Sequence, residues 1–176
     1  MSAIGFTLES MESTLCQTIC MDFEEEAKLT RKLLERVVLE DGLADYQPHP
    51  KSMKLNYLAT HLADLPSWLK FALESEVFEL PADFKPESCA TSKELMEKFE
   101  KSVEAGRAAI ANATDDDMQK TWTFQYKDFR MTTPRPQVVR SFINHQVHHR
   151  AQLGVYLRLN NVAIPGMYGP SADEGF

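Results

Sequence analysis

Four stretches of the chain repeat apolar residues at the three- and four-residue spacing of a helix face. In the first, from about Glu9 to Val38, the recurring positions are Leu15, Ile19, Phe23, Ala27, Leu34 and Val38, and the glycine of Asp41-Gly42 is placed to cap its end. Tyr46-Gln47-Pro48-His49-Pro50 is too rich in proline for regular structure, and Ser52 then stands as an N-cap. The second helix is predicted from about Met53 to Glu74 on Leu55, Leu58, His61, Leu62, Leu65, Trp68, Leu69 and Ala72. Pro66 lies inside it and cannot donate to the carbonyl of Leu62, which predicts a kink just past His61.

Val77 to Cys89, with Pro81 and Pro86, reads as a long connection across one end of a bundle. Thr91 and Glu94 form a capping-box pair ahead of Leu95, Phe99, Val103 and Ile110, so the third helix runs from there to Asn112–Thr114. Thr121 to Thr132 alternates aromatic and polar residues and predicts a short hairpin or extended arm. The fourth helix opens at Pro136, a residue suited to a first turn, and closes at Leu159, before Asn160-Asn161. Val162 to Phe176 is tail. The pattern predicts an all-α, single-domain four-helix bundle over residues 1–176 with long crossover connections.

Composition narrows the partners. The 176 residues are 43% hydrophobic and 26% charged, which suits one domain with a substantial core. Nineteen basic against 26 acidic residues leave a net charge of −7, with no basic surplus for phosphates or an anionic membrane, so nucleic acid is excluded as a first expectation. No run approaches the roughly 18 apolar residues of a membrane span. The first residues lack the basic and apolar regions of a signal peptide, and three cysteines are an odd number for a disulfide framework, so a reduced, cytoplasmic protein is expected.

The chemistry lies in the histidines. At roughly 100° per residue, Val138, Phe142, His145, His149 and Tyr156 fall within roughly 40° of one line on the fourth helix. His61 sits among Leu58, Leu65, Trp68 and Ala72 in the same way. Three core-facing imidazoles must satisfy their nitrogens, and a cation shared between two helices does so best. His145 and His149, at i and i+4, can reach one ion; with His61 they make three ligands and leave positions for water or substrate, as in catalytic sites. His148 is about 100° off the stripe and reads as surface or interhelix. His49 lies in the proline-flanked loop, either in solvent or at the rim of the site.

The intervening residues exclude two chemistries. Gln146 stands where a zincin would carry its glutamate base. The residues three before each histidine, Tyr46, Leu58, Phe142, His145 and Gln146, include no glutamate, against a ferritin-like carboxylate site. Cys16 and Cys20 share the i, i+4 spacing, but their neighbours Leu15 and Ile19 suit small core residues. Cys89 is placed in a loop, and Asp115-Asp116-Asp117 reads as a solvated helix cap.

Tyr46 to Trp68 (YQPHPKSMKLNYLATHLADLPSW) and Phe142 to Leu157 (FINHQVHHRAQLGVYL) resemble the metal-binding stretches of the DinB/YfiT-like metalloenzyme family, the second carrying its signature H-x-x-H-H-R-x-Q. The ending Met167 to Glu174 (MYGPSADE) is similar to that of one branch of the family. Ala151 stands where the family usually has glycine. The resemblance implies a helical bundle with a divalent metal, zinc or nickel, on His61, His145 and His149. It also implies small-molecule substrates, thiol cosubstrates such as mycothiol or bacillithiol, and homodimers. On it we expect a thiol-dependent S-transferase in which the ion lowers the pKa of a small thiol, with Gln146, Arg150 and Trp68 as candidate pocket residues. A surface ion pair for Arg150 and core packing for Trp68 are the plainer readings. A non-catalytic metal-binding bundle and a metal-assisted hydrolase remain the alternatives.

Overall fold

A computed structural model describes residues 14–175. Its long helices are α1 (Leu15–Leu34), α2 (Leu55–Asp64) with α3 (Trp68–Glu74), α4 (Ser92–Asn112) and α5 (Arg135–Leu159). The predicted start of the first helix near Glu9 lies outside the described residues. Within them α1 opens on a full capping box, in which the Thr14 hydroxyl accepts from the Gln17 N–H at 3.2 Å and the Gln17 side chain accepts from the Thr14 N–H at 3.0 Å. Ile19, Phe23, Ala27 and Leu34 are buried as predicted, whereas Leu15 and Val38 are exposed.

The second predicted helix breaks where its proline dictates. Leu65–Ser67 is a 3-10 turn separating α2 from α3. The helix α4 crosses this break at Gly106, the one residue small enough to sit against the Pro66 carbonyl. The helices α1 and α2–α3 each pack between α4 and α5. The connections 35–54 and 113–134 therefore run diagonally across the bundle, which is why they are long. Phe23, Phe99, Leu33, Leu55, Leu62, Leu95 and Leu153 fill the space between the helices.

Four expectations are corrected. Asp41-Gly42 does not end the first helix, which stops at Leu34; Gly42 takes φ +83° inside a separate π-type turn, Leu39–Leu43. Ser52 is not the cap of α2. Lys54 takes that position without a side-chain bond, and the Leu55 and Asn56 N–H groups donate to the carbonyls of Tyr46 and Ala44. Only half of the capping box at Thr91 forms: Thr91 Oγ1 accepts from the Glu94 N–H, but Glu94 reaches back to the Ala90 N–H.

The fourth correction is to the all-α class. The hairpin at 121–132 is present as β2 (Thr121–Tyr126) and β3 (Phe129–Pro134), and the connection before α4 adds β1 (Val77–Glu79), parallel to β2. This three-stranded sheet, in the order β1-β2-β3, leans on α3 and α5 through Trp122. The Trp122 indole N–H donates to the Phe71 carbonyl at 2.9 Å, and its ring meets Phe142 edge-on at 5.8 Å. No helix among the described residues is long and apolar enough to cross a membrane.

Candidate metal centre

The break at Pro66 and the unbroken run of α5 bring the helical stripes of the two segments face to face. His61 projects from α2, and His145 and His149 from successive turns of α5. One ligand nitrogen from each can be chosen so that all lie within 4.8 Å of one another. The His61 ring is 5.2 Å from that of His145 and 4.8 Å from that of His149, and the two α5 rings are 4.5 Å apart. Nε2 of His145 and Nε2 of His149 approach to 2.7 Å, a contact in which one nitrogen donates and the other accepts.

Electrostatics keeps these rings neutral. Burial, and then mutual repulsion with the other imidazoles, pushes His61 down to about 4 against the weaker pull of Asp64. Burial followed by the neighbouring His149 and His148 brings His145 to about 4 as well. His149 is lowered by burial, with a hydrogen bond to Gln152 opposing. Neutral imidazoles offer lone pairs, the form in which they bind cations. Three half-buried neutral nitrogens converging without a carboxylate among them fit a borderline divalent ion such as zinc or nickel, and do not fit a hard cation such as calcium or magnesium.

Trp68 forms one wall. Its indole meets His61 edge-on at 5.4 Å, His145 at 5.6 Å and Phe142 at 5.5 Å. Nε1 donates to Asp64 Oδ2 at 3.0 Å, and Asp64 in turn lies 3.3 Å from the Lys98 ammonium. Asp64 was not singled out from the sequence, although it stands three residues after His61 and four before Trp68, on their face of the helix.

Gln146 and Arg150 are committed elsewhere. Both are buried, and both bond to α1: Gln146 Nε2 donates to the Thr30 hydroxyl at 2.8 Å and the Glu26 carbonyl at 3.2 Å. Arg150 Nη1 reaches the same two oxygens, and its Nη2 meets the Glu26 carboxylate at 2.6 Å and the Tyr168 hydroxyl at 2.5 Å. These residues lie one position beyond His145 and His149, and that turn of about 100° directs them to α1 instead of α2. Arg150 does make an ion pair, but not at the surface: its side chain is 3% exposed. His49 is exposed, its Nδ1 accepting from the Lys51 N–H. His148 is exposed too, with its ring 5.0 Å from that of His149.

Known proteins share this fold. The fold is similar to a DinB-like protein from Bacillus cereus ATCC 10987, with a TM-score of 0.66, 22% identity, and coverage of 85% of this chain and 95% of that one. It is similar also to YfiT from Bacillus subtilis, described as a probable metal-dependent hydrolase with an unusual four-helix bundle topology, with a TM-score of 0.64, 16% identity, and coverage of 86% and 93%. At such identities the likeness concerns the fold. In sequence, the uncharacterized protein YrdA of Bacillus subtilis (strain 168) is 39% identical over 41 residues, which span 23% of this chain and only 25% of that protein. Residues 11–175 match the model of the DinB family, and the chain belongs to that family.

Proposed function

We propose that the chain is a divalent-metal-dependent enzyme whose ion, zinc or nickel, is held by His61, His145 and His149. The convergence of their ligand atoms within 4.8 Å carries this reading. Such an ion supplies Lewis acidity that stabilises the anionic form of a bound thiol or water. The chain's own residues supply the rest. Three neutral imidazoles leave coordination positions for a small molecule, Trp68 and Phe142 keep one side apolar, and Asp64 fixes the indole.

The reaction we propose is transfer of a low-molecular-weight thiol to a small electrophile. The sulfur–carbon bond forms as the leaving group departs, and the thiol proton passes to solvent. Three free cysteines accord with a reduced, cytoplasmic setting, and the net charge of −7 argues for small-molecule partners over nucleic acid. A homodimer, which the family resemblance implies, belongs to the same proposal and is tested by sedimentation. Hydrolysis is the second reading, favoured by the description of YfiT.

Elemental analysis of purified protein with its His61→Ala variant tests the centre: about one ion per chain in the wild type and loss in the variant are expected. Metal-loaded protein is then assayed for thiol conjugation and for hydrolysis side by side. Conjugation alone supports the transferase, hydrolysis alone replaces it, and neither reaction with an ion retained leaves a bundle in which the metal only ties α2 to α5.

A further inference from the structure

Gln152 stands three residues after His149 on α5, and its Oε1 lies 2.8 Å from His149 Nδ1. An amide oxygen can only accept, so this bond requires the imidazole proton on Nδ1. A neutral ring protonated there presents its lone pair at Nε2, the nitrogen 2.7 Å from His145 Nε2. The two contacts together order the protons: His149 accepts at Nε2, and His145 donates from Nε2–H. Among the described residues, His149 is the one imidazole of the three whose outward nitrogen is held by another side chain.

We propose that Gln152 is the positioning residue of the centre, fixing His149 as the Nδ1–H tautomer with its lone pair already aimed between α2 and α5. This rests on the metal reading above. It makes the ligands unequal. His149 is ready, whereas His145 must first move its proton from Nε2 to Nδ1. The N–H···N bond between the two histidines breaks, solvent carries the proton to the other nitrogen of the same ring, and the ring stays neutral with no net release. A neutral amide orients His149 without adding a negative charge beside the site, as a carboxylate in its place would.

The full-length chain, Gln152→Leu and Gln152→Glu test this. Gln152 is exposed, so neither substitution removes core packing. In metal-free protein labelled with nitrogen-15, imidazole spectra are expected to show His149 protonated at Nδ1 in the wild type and a mixture with the Nε2–H form in Gln152→Leu. Zn²⁺ affinity, read by chelator competition, should fall about 10- to 100-fold in Gln152→Leu. Gln152→Glu, which keeps an acceptor, should match or exceed the wild type. A wild-type His149 protonated at Nε2, an unchanged Gln152→Leu, or a Gln152→Glu as weak as Gln152→Leu overturns the proposal while the metal reading stands. A wild type with the Nδ1–H signature that takes up neither Zn²⁺ nor Ni²⁺ overturns the metal reading, and with it the role given to Gln152.

Discussion

Gly106 of α4 lies directly against the carbonyl of Pro66: a Cβ on it would stand 2.4 Å from that oxygen and 2.9 Å from Cζ of Phe23. The contact lets α4 cover the break between the helix that carries His61 and the one that carries Trp68. Alanine in a helix interior is favoured over glycine by about 1 kcal/mol, but forcing a side chain against backbone costs about 1–3 kcal/mol or more. Gly106→Ala is therefore expected to lower stability in a urea titration and to weaken metal binding, since the turn beside His61 must shift. Gly154→Ala is the control. Beyond its chain neighbours and the adjoining backbone of α5, no atom lies within 4 Å of where that Cβ would stand, so the propensity term acts alone, with a rise of up to about 1 kcal/mol. Equal stabilities for the two variants would show that α4 slides off Pro66 freely.

Arg150 and Glu26 give a second prediction. Their side chains are 3% and 15% exposed, and removing one partner of a buried pair costs about 3–5 kcal/mol because the other charge is stranded. Arg150→Ala should lose most of that in denaturant unfolding and loosen the tail that Tyr168 anchors. Its metal content, normalised to folded protein, should stay that of the wild type, because Arg150 is bonded to α1 and to Tyr168. A stable Arg150→Ala chain that binds no metal would return Arg150 to the site.

What could be read from the sequence divides by range. The spacing of His145 and His149 and the kink after His61 are local consequences of helical periodicity and of proline, and both are present. The start of α2 was misread because its N–H groups are satisfied by the distant carbonyls of Tyr46 and Ala44, which leave no side-chain signature. The strand β1 is three residues long and exists only through pairing with β2, across more than 40 residues of chain. Gln146 and Arg150 read as pocket residues because their partners, Glu26 and Thr30, lie on another helix. Gln152 was legible in principle, one turn beyond a predicted ligand.

Cys16 offers a test away from the centre. Burial, reinforced by the carboxylate of Asp115, pushes its thiol up to about 11. Only the thiolate reacts, so at pH 7.5 alkylation by iodoacetamide should be slower than for an ordinary thiol of pKa about 8.5, by roughly two orders of magnitude. Its rate should climb about tenfold per pH unit to above pH 10, and Asp115→Asn should bring the curve to lower pH. A plateau below pH 9 would mean that Cys16 is more solvated than its place in the first turn of α1, against Asp115, implies.

The imidazoles predict how the metal-free protein responds to acid. An imidazole in an unfolded chain titrates near 6.5, whereas His61 and His145 titrate at about 4 in the fold. Between those values the unfolded chain binds more protons than the folded one, so stability is complete above about pH 6.5 and falls as the pH drops towards 4. Urea midpoints of metal-free protein should therefore fall from pH 7 to pH 5, a range in which most carboxylates are still ionised. His61→Leu should flatten the decline, because leucine needs no proton in either state and an apolar side chain is at home against the indole of Trp68. If His61→Leu declines as steeply as the wild type, the loss comes from carboxylates instead, and the three rings are less desolvated than their packing between α2 and α5 requires.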